Sequence, residues 1–367
     1  MDPYILDDQF WANALLLQRE GDLFEQDRQS SQLLRQFQTD RRATPAWRLD
    51  DDVITGILYN VLQSMVDTTR GGASDQERNA HKHIVSCICA CASNDSGDAA
   101  MDRMAHLATT WIASVYWMLW DFGPKRDSHT IDLRNAEPVL RRDMRRCSIT
   151  GKYCKTLRRP RKDTAWDHIT ATPIIKSHIA DCRSDVSEGR AVTIRCMQAL
   201  SGLSVDEFDQ ILSGLNQPSN AIAIAAGTAD STFRGHVWGL LETDVKDHYR
   251  IADFWGNTVP LAGHRPLSHV TFCSRGAGVA PPDVRLLRFH AMVGQVIYGS
   301  GLADVFFDAT GDMNTCTTPA TVTPHQFYKV AAYGPSVLPC RDPSSDHDDG
   351  SDYVPDDEDE DEDEDMY

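Results

Sequence analysis

Three polar residues in the middle of the chain could do hydrolytic chemistry together. His178 ends an apolar run in IIKSHIADC (174–182), Asn220 sits in SNAIAI (219–224), and Asp230 opens DSTF (230–233). An imidazole that is neutral near pH 7 can take a proton from water. A side-chain amide can fix that imidazole's tautomer and orientation. A carboxylate can hold a hard divalent cation, Mg²⁺ or Mn²⁺, which stabilises a leaving oxygen. Such a set suits phosphodiester hydrolysis. A lone histidine at a strand end also reads as a satisfied core residue, and these residue types leave both readings open.

Charge is distributed unevenly around this set. Residues 341–367 hold 15 Asp/Glu and one Arg, a local net of −14, so the other 340 residues carry only −4 of the total −18. A run such as DDEDEDEDED cannot bury a core and is expected to be a disordered tail, a possible ligand for basic proteins. Residues 141–163 (RRDMRRCSITGKYCKTLRRPRKD) hold ten Lys/Arg against two Asp. Within them, Arg158, Arg159, Arg161 and Lys162 are the candidates to meet a phosphate backbone. The same stretch reads equally as a solvated loop, or as a partner for the acidic tail.

The elements that must position these residues follow from spacing. LLLQREGDLFEQDRQSSQLLRQF, within 3–40, predicts one or two surface helices. RLDDDVITGILYNVLQSMV (48–66) starts with carboxylates and keeps i, i+3, i+4 apolar spacing, a helix signal. Helices are also predicted over 79–93 and 98–122, the second apolar nearly all round and therefore buried. His81 and His83, flanking a lysine, are expected to face solvent. Further on, AEPVLRRDMRRC reads as a short helix, CSITGKYC as a strand or turn, and a short strand runs to His178. TIRCMQALSGLSVDEFDQILSGL (193–215) reads as helix broken at its glycines. Next come a loop, a strand, a short helix and a strand over 216–242, then strands at 248–254 and 269–273. Residues 281–307 are expected to form one closing helix.

No run of eighteen apolar residues occurs, so no membrane span is expected. MDPYILDDQF lacks the basic and apolar regions of a secretory signal, which points to an intracellular protein. The ten cysteines then read as reduced thiols without disulfides. Cys87 and Cys91 share a helical face. Cys147 and Cys154 are spaced too widely for a zinc pair, so both sets are expected to be packing groups. Trp111, Trp117 and Trp120 read as core rather than as a base-stacking platform.

Beyond single residues, the order of motifs resembles the HNH nuclease-domain proteins of fungi. LATTWIASVYWML (107–119) and VLRRDMRRCSITG (139–151) are similar to that family's lead-in helix and its C-x-[ITV]-T-G strand. ILSGLNQPSNAIAI (211–224) resembles its asparagine segment, and DVRLLRFHAMVGQVIYGSGLADVF (283–306) its closing helix. The resemblance covers residues 80–308. It implies a ββα-metal core in which His178 is the general base, Asn220 orients it, and Asp230 stands at the metal-binding position of the helix, with Phe233 as the family's aromatic. Ser177 and Asp230 depart from the ligands common in that family. The implied activity is metal-dependent cleavage of nucleic acid. The alternative is a degenerate scaffold that binds nucleic acid or protein. The expected fold is α+β: a helical region over 1–125, an HNH-like domain with extra helices and strands over 126–308, and a disordered tail over 309–367.

Overall fold

The computed structural model describes residues 6–39, 51–93, 97–120, 133–155, 165–176, 179, 188–256, 267–272 and 278–310. The expected disordered tail lies outside them beyond 310, as do Ser177, His178 and the run 158–162. The architecture is mixed α+β, with a mostly helical N-terminal part and small sheets.

Local signals set the helix starts. Helix α1 (Asp8–Glu20) is capped by Asp7, whose carboxylate accepts from the Phe10 amide at 2.8 Å. Helix α2 (Leu23–Thr39) follows, then α3 (Asp51–Thr69) and α4 (Asp75–Ala90). A reciprocal capping box between Ser74 and Glu77 opens α4. Helices α1 and α2 both pack on α4. Phe10, Trp11, Leu34 and Phe37 are buried, together with the polar Gln26 and Ser30 of α2.

Helix α5 (Gly97–Trp111) runs through a π turn (Ile112–Tyr116) into α6 (Trp117–Leu119). Trp111, Tyr116 and Trp117 are buried, as the all-round apolar pattern requires. Large side chains of this kind each stabilise the fold by about 1.5–3 kcal/mol on burial. Among the described residues, no helix is long and apolar enough to cross a membrane.

His81 and His83 do not face solvent; both are buried. His81 lies 2.9 Å from an Asp27 carboxylate oxygen and 3.1 Å from the Thr69 hydroxyl, and His83 lies 3.0 Å from Gln18 Oε1. Their partners come from other helices, so local spacing could not show them.

Helix α7 (Leu133–Arg142) leads to a turn and to the two-residue parallel pair β1 (Tyr153–Cys154) and β2 (Trp166–Asp167). Strand β3 (Ile169–Pro173) ends before the residue expected to end it. Helices α8 (Glu188–Ser201) and α9 (Val205–Ser213) separate it from β4 (Ala221–Ala225), its antiparallel partner. Gly202 breaks α8 from α9 at φ +66, and a Cβ there would lie 1.9 Å from the Gln76 carbonyl oxygen. Helix α10 (Thr228–Arg234) follows β4. An antiparallel sheet β5 (Trp238–Glu242), β6 (His248–Asp253) and β7 (His269–Thr271) comes next.

The closing segment is two helices rather than one. Helix α11 (Val284–Gly299) stops at Ser300, and α12 (Leu302–Thr310) begins after Gly301, which sits at φ +77. Helix α11 packs on α3 and on β5, so one core runs from Leu6 to Phe306. Cys87, Cys91, Cys147 and Cys154 are buried in it as free thiols. Burial pushes the Cys87 thiol well above its ordinary value and that of Cys89 up to about 12.

Candidate functional site

Two of the three candidate residues, Asn220 and Asp230, belong to one strand–strand–helix unit. Strands β3 and β4 pair from Ile169↔Ala225 to Pro173↔Ala221, and α10 follows β4 after a short turn. Beyond Pro173 the ladder adds one bond, from the Ile174 amide to the Asn220 carbonyl at 2.8 Å. The Asn220 side chain then ends the ladder. Its Oδ1 accepts from the Ile175 amide at 3.0 Å, and its Nδ2 donates to the Ile175 carbonyl at 2.7 Å and to Leu215 at 2.8 Å. Asn220 is fully buried. It grips the backbone three residues before His178, which lies outside the described residues, and both protons of its amide are spent on carbonyls.

Asp230 sits in the first turn of α10 and is buried. The Thr172 hydroxyl donates to Oδ1 at 2.6 Å, and Arg234 Nε donates to Oδ2 at 3.2 Å. Thr172 is on β3, so this carboxylate pins the helix to the strand. A void of about 10 Å³ beside the exit of β3 is bordered by Lys176, Arg234 and His236, room for about one water molecule. Lys176 Nζ donates to the Trp120 carbonyl at 3.0 Å.

The divalent ion implied by the resemblance can be tested against these groups. A hard cation needs oxygen or nitrogen lone pairs. Both Asp230 oxygens already accept hydrogen bonds, and the neighbouring charged groups are cations. His236 Nδ1 and Nε2 each lie 3.3 Å from a carbonyl, those of His290 and Leu119. Among the described residues, no group of three or more His, Cys, Asp or Glu is placed to hold a metal ion. The described residues do not fit a divalent metal centre at Asp230.

Histidines do gather here, but in the core. The His290 ring stacks on Phe233 with centroids 4.1 Å apart and lies 4.2 Å from the His236 ring. Burial, with Lys176 nearby, pushes His236 down to about 4, and burial drives His290 well below its ordinary value. Both are neutral at pH 7. His236 lies just past the end of α10, at a left-handed φ of +56.

Part of the basic stretch is paired with carboxylates where it is described. Arg142 is buried. It binds Asp143 through two bonds of 2.7 and 2.9 Å and donates to the carbonyls of Pro218, Ala221 and Ala280. Asp143 in turn accepts from the Ala223 amide at 2.9 Å. Arg145 pairs with Glu137, Lys152 with Asp167, and Arg146 lies over the Tyr153 ring. The arginine–aspartate pair is therefore a clamp on β4 rather than a surface for phosphate. No local signal separates it from the arginines around it. The Cys147–Gly151 turn serves the same strand: the Ser148 amide donates to the Ala223 carbonyl at 2.8 Å, and Cys147 Sγ lies 3.3 Å from the Ala225 amide. Phosphate contacts at Arg158, Arg159, Arg161 and Lys162 fall outside the described residues. Comparison of the chain with protein-family models, with curated proteins and with solved structures finds no match.

Proposed function

We propose that the β3–β4–α10 unit is an HNH-like ββα scaffold that binds the phosphodiester backbone of nucleic acid without divalent-metal turnover. The observation that carries this reading is Asp230, whose oxygens accept from Thr172 and Arg234 and which belongs to no group of three or more His, Cys, Asp or Glu among the described residues. A carboxylate held this way is a structural pin between strand and helix. Affinity comes from Arg158, Arg159, Arg161 and Lys162, which release counterions on meeting phosphates. The acidic tail is assigned to basic proteins, or to masking that run in cis.

A second reading keeps catalysis: a metal-dependent nuclease with His178 as base. Asn220 favours it, because its grip on Ile175 fixes the chain entering His178. One experiment separates the two. The intact chain and His178→Ala are mixed with duplex DNA, single-stranded DNA and RNA in Mg²⁺, Mn²⁺ or EDTA, and both binding and cleavage are read. The first reading expects salt-dependent binding that survives EDTA, no cleavage, and a salt slope that falls by about 0.9 for each phosphate contact removed from 158–162. Ion-dependent cutting lost in His178→Ala would install the second. Neither binding nor cutting would remove both.

A further inference from the structure

The short pair β1–β2 carries a face that the strand–strand–helix unit does not use. An isolated bridge joins Arg146 to Tyr153, and Tyr153 lies beside Trp166 in the parallel register. The ladder continues past the pair. The Tyr153 amide donates to the Ala165 carbonyl at 3.1 Å, and the Lys155 amide donates to the Asp167 carbonyl at 3.0 Å. Successive residues of a strand point to opposite faces. Cys154 points into the core, where it is buried, so Tyr153, Lys155 and Trp166 share the other face. Lys155 is exposed, and so is His168, two positions beyond Trp166.

Cations and rings alternate across this face. The Arg146 guanidinium lies over the Tyr153 ring, 4.1 Å from its centroid. The Trp166 ring lies 5.8 Å from that of Tyr153, at an angle of 38°. Both rings are half-buried. Among the described residues, Trp166 makes no ring contact besides Tyr153, and its indole N–H has no hydrogen-bond partner. Arg146 Nε is buried without a partner, and neither Arg146 nor Lys155 makes an ion pair among the described residues. In this part of the chain Arg141, Arg145, Arg146, Lys152 and Lys155 are matched by two carboxylates, those of Glu137 and Asp167.

That composition selects the occupant. A surplus of cations suits a polyanion. Rings set among the cations suit a polyanion that carries flat bases, because every base has a π face. In a duplex the bases cover one another, so side-chain rings stack on unpaired ones.

We propose that this face is a stacking platform for the unpaired bases of single-stranded nucleic acid, with a base on Trp166 and the flanking phosphates on Arg146 and Lys155. The proposal rests on the nucleic-acid reading above and narrows its substrate to single strands.

The test titrates the intact chain in EDTA against three fluorescent probes, read by anisotropy: a poly-thymidine strand, an abasic strand of equal length, and a duplex of the same length. The thymidine strand is expected to bind about tenfold more tightly than the abasic strand, the order of one stacked base. Trp166→Ala should remove that advantage and leave the abasic affinity unchanged. Trp166→Phe, which keeps a ring, should restore most of it. Equal affinity of the intact chain for the thymidine and abasic strands overturns the platform while leaving phosphate binding in place. That comparison needs no variant, so it stands even where Trp166→Ala folds poorly. Tighter binding of the duplex also overturns the platform, as does a base preference that survives in Trp166→Ala. A loss in Trp166→Ala common to both strands marks Trp166 as structural and overturns it too. Failure to bind any probe removes the platform and the nucleic-acid reading together.

Discussion

The helical layer of α1 to α5 and the β3–β4–α10 unit are held by different physics. The first buries apolar side chains in bulk: Leu58, Val61, Leu62, Ile84, Val85 and Ile88 are all within 1% of complete burial. The second is tied by single polar groups in a nearly dry setting: Asn220 on Ile175, Arg142 and Asp143 on β4, and Asp230 on Thr172. Apolar contacts are many and interchangeable. A buried polar clamp has one geometry, and removing one partner leaves the other unsatisfied. The helical layer should therefore tolerate substitution, and the small unit should not.

Four measurements sharpen or break that contrast. The largest effect is expected at Arg142→Leu, which strands the buried Asp143 carboxylate and three carbonyls, and urea unfolding should show a loss of about 3–5 kcal/mol. A loss under about 1 kcal/mol would mean that water reaches the clamp. Asn220→Ala should cost about 3 kcal/mol by the same assay, because it frees three buried backbone groups. If Asn220→Ala proved as mild as a core trimming, the exit of β3 would not depend on the amide.

Acid comes next. His83 and His236 are each held near 4, below the ordinary 6.5. A depressed histidine favours the neutral form in the fold, so its contribution is present above 6.5 and is lost as pH falls from 6.5 towards 4. Between pH 7 and pH 5, denaturant unfolding should show a loss of about 2 kcal/mol from each histidine. His83→Gln should remove its share, and an unchanged pH slope in that variant would disprove it. The smallest effect is expected in the helical layer. Ile88→Val, in α4, should cost about 1 kcal/mol, and a loss above about 3 kcal/mol would erase the difference between the two regions.

Where the sequence reading succeeded, the signal was local. The helices over 51–69, 188–201 and 205–213 follow i, i+3, i+4 spacing and glycine breaks, and the strands at 221–225 and 248–253 follow apolar or alternating runs. Where it failed, the cause was distant. His81 was expected in solvent because its neighbours in sequence are polar, yet its partners are Asp27 and Thr69. The basic patch was summed as charge, although Arg142 spends its charge on a neighbour and on carbonyls at 218, 221 and 280.

The candidate site shows the same division. Residue types and order brought Asn220 and Asp230 to one unit, and the structure places both there. It was not legible that Asn220 would grip Ile175, 45 residues away, or that Asp230 would accept from Thr172, 58 residues away.

By itself, then, the sequence determined most of the helices and the longer strands, because periodicity, caps and turn residues act over three or four positions. Only the tertiary structure decided which buried polar groups meet. A hydrogen bond across the fold depends on where two distant backbones are brought together, and no spacing along the chain records that distance.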